Sequence, residues 1–198
     1  MQRFRFERDQ VRYAVCHGNL RRVLGSYLQL QPSLLQFAEN HYGRPRLLDS
    51  GPVNSELDFN LSHTADVALL GIARGLRIGV DVEHMRSIEA DVAERYFSSH
   101  ELSELEDLAG QSWLEGFYNC WTRKEAILKA EGVGLRVRLD AFDVSLTPGA
   151  APLLIAHRPE AGLKTQWLLS PLSPSDATIG AIATSRSPVE LHCWRLST

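Results

Sequence analysis

The feature that most constrains this chain is a strand-like segment, residues 78–83, with two acidic side chains in alternate positions. Apolar residues alternate there with Gly79, Asp81 and Glu83, which is the period-2 pattern of a strand whose two carboxylates share one face. Side chains two apart on a strand lie roughly 7 Å apart. Aspartate is disfavoured in strands and neighbouring anions repel, so the pattern favours a cation or hydrogen-bond donors at this face.

A second segment, residues 112–131, predicts a long helix with an unusual stripe. Trp121, Glu125 and Lys129 follow one another at four-residue spacing. Because a helix turns about 100° per residue, these side chains lie along one stripe, flanked by Lys124. The two segments together supply three carboxylates, whose oxygens suit a hard divalent cation such as Mg²⁺, with Mn²⁺ as an alternative.

Each piece also has an ordinary structural explanation. Glu125 and Lys129 form the commonest kind of helix-surface ion pair. Asp81 and Glu83 fit the solvent-facing side of an edge strand, and Trp121 fits a core aromatic. A functional interpretation is favoured only by the occurrence of all these residues together with the ordered motifs described below.

The chain predicts an α+β fold. Its 198 residues are 44% hydrophobic and 23% charged, which is ordinary globular composition. Apolar periodicity predicts helices at 4–30, 32–39, 88–96, 99–109 and 112–131, and strands at 59–62, 67–74, 77–83, 141–146, 152–156, 165–169, 177–184 and 190–195. Residues 42–57 read as a loop.

Composition excludes several classes of function. The net charge of −3 provides no global attraction to nucleic acid or to an anionic membrane surface. The three cysteines, Cys16, Cys120 and Cys193, have no C-x-x-C pairing, which argues against a disulfide framework or zinc site and favours the cytoplasm. The first nine residues lack the apolar h-region that a signal peptide would show, so export by that route is not expected, and no run of 18 apolar residues occurs. Nucleotide-loop and serine-hydrolase motifs are also missing from the sequence.

The two segments closely resemble the two motifs of 4′-phosphopantetheinyl transferases. They read Gly79-Val80-Asp81-Val82-Glu83 and Trp121-x-x-Lys124-Glu125-Ala126-x-x-Lys129-Ala130-x-Gly132-x-Gly134-Leu135. Further agreement follows in the family's order at Phe4-x-Phe6-x-Arg8-Asp9, Gly43-Arg44-Pro45, Phe59-Asn60-Leu61-Ser62-His63-Thr64 and Phe97-Ser98-x-x-Glu101. Ordered motifs are far more specific than one short pattern, and their length resembles the larger Sfp-like branch.

The resemblance implies two similar α+β halves related by a pseudo-twofold, with the active site between them, in a monomer. The boundary is expected near residue 78. Residues 1–78 would contribute to coenzyme A binding without the family's first strand, and residues 79–198 would hold the metal site.

The resemblance also implies a reaction of the holo-[acyl-carrier-protein] synthase type. A serine of an apo acyl, peptidyl or aryl carrier protein attacks the β-phosphorus of coenzyme A and releases adenosine 3′,5′-bisphosphate, in fatty acid, polyketide or nonribosomal peptide biosynthesis. Asp81, Glu83 and Glu125 are the implied ligands of Mg²⁺. Glu125 and Lys129 are the implied catalytic residues, with Glu125 also matching the family's proposed base.

The resemblance implies coenzyme A contacts at residues of the matching motifs and at Arg12, on the helix expected to face the nucleotide. They are Arg12, Gly43, Arg44, Pro45, Ser62, His63, Lys124 and Lys129. His63 matches a contact to a phosphate of coenzyme A, Ser62 matches a phosphate or nucleotide contact, and Arg44 matches the adenine-side loop. Lys124 is either a second phosphate contact or a support. Glu101 is expected to be a helix N-terminal acid or a support rather than a metal ligand.

One departure from the family's pattern keeps alternatives open. The chain begins almost at the Phe4-x-Phe6 motif, whereas larger members carry a strand and basic residues upstream. Arg3, Arg5 and Arg8 could replace those basic groups, the start codon could be misassigned, or the product could be a catalytically weak carrier- or nucleotide-binding module. A Mg²⁺-dependent phosphohydrolase using the same carboxylates is a third class of function.

Overall fold

A computed structural model describes residues 6–48, 56–163, 166–185 and 189–196, and it confirms the α+β class. The helices are α1 (Glu7–Leu28), α2 (Ala90–Tyr96), α3 (Ser99–Glu106) and α4 (Gln111–Glu131). The strands are β1 (Phe37–Glu39), β2 (Pro45–Leu47), β3 (Leu57–Thr64), β4 (Val67–Arg74), β5 (Ile78–His84), β6 (Phe142–Val144), β7 (Leu154–His157), β8 (Leu168–Leu172) and β9 (Thr178–Thr184). Within this part of the chain no helix is both long enough and apolar enough to cross a membrane.

The strands form small antiparallel sheets on which two of the helices pack. Strands β1 and β2 pair, β3 pairs with β4, β6 pairs with β7, and β9 lies between β5 and β8. Helix α4 packs against β5 and β9, and its buried Phe117 and Ile127 join Phe142 of β6 in the largest apolar core. Helix α1 buries Leu24 against Phe59 of β3 in a separate core.

Sequence predictions of secondary structure were wrong at residues 32–39, at 42–57, which contains β2, and at 190–195. Residues 32–39 form a 3₁₀ turn, Pro32–Leu34, followed by strand β1 rather than a helix. This short strand is defined by its pairing with β2, and Pro45 at the start of β2 made that segment resemble a loop. Residues 190–195 form no strand, and Trp194 there is 83% exposed. Residue 165, the first of the predicted strand 165–169, lies outside the described residues. So do Phe4, which begins the first motif, and the neighbouring Arg3 and Arg5.

Strands β3 and β5 are joined by side chains rather than by a backbone ladder. Four alternate backbone N–H groups of β5 donate to four alternate side chains of β3: Ile78 to Asp58 (2.9 Å), Val80 to Asn60 (2.8 Å), Val82 to Ser62 (3.4 Å) and His84 to Thr64 (3.2 Å). The edge of β5 opposite β9 is therefore closed by hydrogen bonds. This ladder also fixes Ser62 beside the carboxylates of β5.

Helix α4 lies directly on the face of β5 that carries the acidic residues. A Cβ atom at Gly79 would stand 2.0 Å from the carbonyl oxygen of Ala126 and 2.4 Å from the backbone nitrogen of Ala130. Only glycine allows this approach of helix to strand. Because alternate residues of a strand share a face, Asp81 and Glu83 also point toward α4.

A buried ion pair links α3 and α4. Lys124 and Glu101 have no exposed side-chain surface, and their charged atoms lie 2.8 Å apart. Glu101 also accepts the backbone N–H groups of Ser98 and Val144, and Ser98 completes a capping box with it at the start of α3. The expectation that Glu101 is a helix N-terminal acid is confirmed.

Candidate active site

Asp81 lies at the centre of the polar cluster between β3, β5 and α4. Its side chain is buried, and its Oδ1 atom accepts hydrogen bonds from Lys129 Nζ at 2.5 Å and Ser62 Oγ at 2.9 Å. Lys129 Nζ also donates to Ser62 Oγ at 2.9 Å. Three residues that the sequence assigned to the site are thus in direct contact, although they come from three different elements.

The other two acidic residues of the cluster are electrostatically coupled to Asp81. Burial raises the pKa of the Glu125 carboxyl, and the charge of Asp81 raises it further, while Lys129 acts in the opposite direction. The pKa of Glu83 is raised by the same two causes in the same order, against the charges of Lys129 and Arg86 and a hydrogen bond from Thr64. The site therefore concentrates negative charge that its own cations do not fully balance.

The carboxylate oxygens of Asp81, Glu83 and Glu125 are suitable ligands for a hard divalent cation. Asp81 Oδ2 is buried and has no hydrogen-bond partner among the described residues, so it is an open ligand position on an otherwise engaged carboxylate. All three acidic side chains offer oxygen atoms, which Mg²⁺ prefers. The ligands are not gathered in advance, since no group of three or more His, Cys, Asp or Glu side chains within the described ranges is arranged to hold a metal ion.

The structure corrects the assignment of Lys124 to coenzyme A. Its Nζ atom is enclosed in the core, where it donates to the carbonyl oxygens of Leu139 (2.6 Å) and Phe142 (2.5 Å) and pairs with Glu101. A side chain with no exposed surface does not reach a bound nucleotide. Of the two roles that the sequence left open, the geometry fits the supporting one.

The side chain of Arg44 contacts protein groups in the structure. Its guanidinium points inward and donates to Asp58 Oδ2 (2.8 Å), to Ile78 O (2.7 Å) and to Ala130 O (3.0 Å). The remaining nitrogen, Nε, is buried and has no partner among the described residues. Its charge is thus engaged by β3, β5 and α4, which favours a structural role over the predicted contact at the adenine side.

The neighbouring predicted contacts occupy the turn between β1 and β2. Gly43 adopts a φ of +85°, and its backbone N–H donates to Asn40 O at 3.0 Å. Pro45 begins β2 and pairs with Glu39. Both residues are exposed, so this turn presents backbone to the surface.

Ser62 and His63 lie on opposite faces of β3, as adjacent residues of a strand must. His63 is exposed on the side of α1. Burial lowers the pKa of His17, and the charges of His63 and Arg21 lower it further, which places the two imidazoles near each other. Arg12, also on α1, donates to Asp66 at 2.8 Å in the turn between β3 and β4. Arg12, His17 and His63, here called the basic group, thus lie on α1 and on the face of β3 opposite Ser62.

Sequence reasoning missed three residues of this region. His17 joins the basic group, and Asn40 and Asp58 hold the arginine that was predicted to bind nucleotide. Asp58 carried a signal, since it continues the alternation of polar residues in β3 at residues 58, 60, 62 and 64. His17 and Asn40 carried none, because their contacts depend on chain packing.

Comparison with known proteins gives a family match over the region that holds the carboxylates. A sequence model of the 4′-phosphopantetheinyl transferase superfamily matches residues 77–182. This range includes Asp81, Glu83, Glu125 and Lys129.

Curated relatives match over more of the chain. The 4′-phosphopantetheinyl transferase HetI of Nostoc sp. (strain PCC 7120) is 33% identical over 185 residues, covering 92% of this chain and 74% of HetI. The 4′-phosphopantetheinyl transferase Sfp of Bacillus subtilis (strain 168) is 31% identical over 145 residues, covering 73% of this chain and 62% of Sfp. Among solved structures, the holo-[acyl-carrier-protein] synthase of Thermotoga maritima covers 55% of this chain and 61% of its own, with 21% identity and a TM-score of 0.43.

Proposed function

Because this chain belongs to the 4′-phosphopantetheinyl transferase superfamily, we propose that it transfers the 4′-phosphopantetheine group from coenzyme A to a serine of an apo carrier protein. The acceptor is an acyl, peptidyl or aryl carrier domain. The observation that carries the proposal is the contact of Asp81 with Lys129, beside the coupled carboxylates of Glu83 and Glu125. The holo-[acyl-carrier-protein] synthase type of activity, the monomeric state and the cytoplasmic location are parts of this proposal.

Lys129 binds the pyrophosphate of coenzyme A. Its ammonium group is held by Asp81 and Ser62, yet the side chain remains 29% exposed, so it can meet a ligand without giving up its position. Phosphoryl-type transfer depends mainly on positioning and charge neutralisation. A fixed cation at this point stabilises the negative charge that develops on the departing phosphate.

Glu125 accepts the proton of the carrier serine. Burial and the charge of Asp81 raise the pKa of Glu125 and make it a stronger base, whereas bound Mg²⁺ would lower that pKa and weaken the base. The serine oxygen then forms a bond to the β-phosphorus, the bond from that phosphorus to the bridging oxygen breaks, and adenosine 3′,5′-bisphosphate leaves. Mg²⁺, held by Asp81, Glu83 and Glu125, would supply neutralisation of the two phosphates and lower the pKa of Glu125.

The basic group on α1 and β3 suits a phosphate of the nucleotide end. His63 is exposed there, with His17 and Arg12 on the adjacent helix. Ser62, on the other face of β3, contacts Lys129. Coenzyme A would therefore extend across the end of β3, with its nucleotide toward α1 and its pyrophosphate toward α4.

A carrier-dependent product assay tests the proposed function. The chain is incubated with coenzyme A and Mg²⁺, with and without an apo carrier protein, and adenosine 3′,5′-bisphosphate is quantified by chromatography. We expect one equivalent per carrier, and none with a carrier whose acceptor serine is replaced by alanine. Release without any carrier would instead support the phosphohydrolase. The comparisons give no support to the catalytically weak binding module.

Thermal unfolding tests the metal site without requiring turnover. Carboxyls with raised pKa bind protons more tightly in the folded state, so their contribution to stability falls as pH rises above their ordinary value of 4.5. Mg²⁺ should reverse this loss. At neutral pH, Mg²⁺ at about 100 times its Kd should add about 2.7 kcal/mol, or a Tm increase of roughly 5–10 °C for a chain of this size.

The increase should shrink near pH 5, where protons compete for the same oxygens. Asp81→Asn is the matched control, because it keeps the side-chain volume and removes the charge. An equal Tm increase in Asp81→Asn, or none in the unsubstituted chain, would contradict the assignment of these ligands.

A further inference from the structure

The C-terminal end of α4 is held by side chains from outside the helix. The last carbonyl groups of a helix have no partner within it. Here Arg44 Nη1 donates to Ala130 O (3.0 Å), Arg77 Nη2 to Glu131 O (2.5 Å) and Asn40 Nδ2 to Gly132 O (2.7 Å). Two guanidinium groups at this end also match the negative pole of the helix dipole.

Asn40 connects this helix end to the turn between β1 and β2. Its Oδ1 atom accepts the backbone N–H groups of Tyr42 (2.8 Å) and Arg44 (2.9 Å). One amide therefore shapes the turn with its oxygen and binds the helix with its nitrogen. Arg44 extends the connection, because its other contacts are with Asp58 of β3 and Ile78 of β5.

The contact is too close for a larger residue at the helix end. Gly132 has a φ of +66°, and a Cβ atom there would stand 2.8 Å from Arg44 Cδ and 3.0 Å from Asn40 Nδ2. Lys129 lies in the turn of α4 whose carbonyls these side chains bind. The position of its ammonium group relative to Asp81 thus depends on where the helix end is held.

We infer that Asn40 and Arg44 are positioning residues, which hold the last turn of α4 and so set the place of Lys129 in the transfer reaction. This inference rests on the proposed function. Arg44 then contributes to the reaction by holding α4 and not by contacting the nucleotide. The inference also means that the turn at Gly43 and the catalytic helix move as one body.

Steady-state kinetics with an apo carrier separate the two roles. Asn40→Asp keeps the acceptor for the turn and removes the donor to Gly132 O, and Arg44→Met removes the bonds to α4, β3 and β5. Since a misplacement near 1 Å can cost about a hundredfold, we expect each variant to lose roughly tenfold to a hundredfold in kcat. The KM for coenzyme A should rise by a smaller factor than kcat falls, because the displaced Lys129 also contacts the pyrophosphate. Arg44→Lys should recover part of kcat, because an ammonium can still bond to Ala130 O.

Arg46→Met is the matched control, since Arg46 is exposed on β2, two residues from Arg44; it should keep both constants. A second pair of variants tests the steric contact alone. Gly132→Ala should have a lower kcat. Gly149→Ala should keep its kcat, because Gly149 has a similar φ of +78° but no atom within 4 Å of a new Cβ. A raised KM at unchanged kcat in Arg44→Met would overturn the inference in favour of nucleotide binding.

Hydrogen–deuterium exchange tests the same contacts without any turnover. Peptides that cover residues 123–133 should exchange faster in Asn40→Asp and Arg44→Met than in Arg46→Met, because the helix end opens more often. Unchanged exchange there would overturn the inference. The exchange result is independent of the proposed function. If exchange is faster in the two variants but the unsubstituted chain modifies no carrier, the proposed function is wrong, while the contacts that hold the helix end are confirmed.

Discussion

Replacing Glu125 by glutamine is expected to lower the kcat of carrier modification by about a hundredfold or more, because general base catalysis alone contributes typically 10²–10⁴-fold. Glutamine keeps the size of the side chain but accepts no proton and is a poorer ligand for a hard cation. The carboxylate it replaces is half-buried and has a raised pKa. Asp81→Ala should act similarly, because it removes the partner of both Lys129 and Ser62.

The change is measured as the initial rate of holo-carrier formation at saturating coenzyme A and Mg²⁺. Glu115→Gln, the same substitution on the same helix, is the control; Glu115 accepts a hydrogen bond from Gln111 and lies outside the polar cluster. It should keep its rate. A Glu125→Gln variant with near-normal turnover would remove both of the roles assigned to Glu125.

Breaking the buried pair of Lys124 and Glu101 is expected to produce the largest loss of stability. Both side chains are fully buried, and removing one partner leaves an uncompensated charge in the core, which costs about 3–5 kcal/mol. Glu101→Ala additionally frees the backbone N–H groups of Ser98 and Val144. Lys124→Met frees two carbonyl oxygens, those of Leu139 and Phe142.

Urea unfolding of Glu101→Ala, of Lys124→Met and of the double variant that combines these two substitutions measures the coupling between the two residues. The double variant should lose less stability than the sum of the singles, since neither charge is left alone. Arg138→Met is the contrast, because Arg138 pairs with Asp140 while 81% exposed, and its urea midpoint should hardly change. Small losses in both single variants would mean that the pair does not support α4.

The strand and the helix that hold the site could be predicted from the sequence because their patterns are strong. The alternation around Asp81 predicted β5, the apolar periodicity of residues 112–131 predicted α4, and the ordered motifs predicted the set of site residues. The predicted pseudo-twofold and the boundary near residue 78 stay predictions. The chain does pass from β4, which ends at Arg74, to β5, which begins at Ile78.

The different roles of Lys124 and Lys129 could not be predicted in the same way. Five residues at 100° each make 500°, so the two side chains point about 140° apart on the helix. Periodicity alone does not show which of the two lysines faces Asp81 and which faces the core. That depends on Glu101, which lies on another helix and meets Lys124 only in the folded chain.

Arg44 shows the same limit for a motif. The sequence placed it correctly beside Gly43 in a turn, but the direction of its guanidinium is set by Asp58 and the carbonyl of Ile78. A long arginine side chain can face either the ligand or the protein. Its contacts are therefore a property of packing and not of the local sequence.

Transfer of the phosphopantetheine group is decided by intact-protein mass spectrometry of an apo carrier incubated with this chain, coenzyme A and Mg²⁺. Parallel reactions contain EDTA, Glu125→Gln or a carrier without its acceptor serine. We expect the carrier to gain the mass of one phosphopantetheine group in the complete reaction and none in the three controls. A carrier mass that stays unchanged across acyl, peptidyl and aryl carriers, or a gain that survives EDTA, would contradict this expectation.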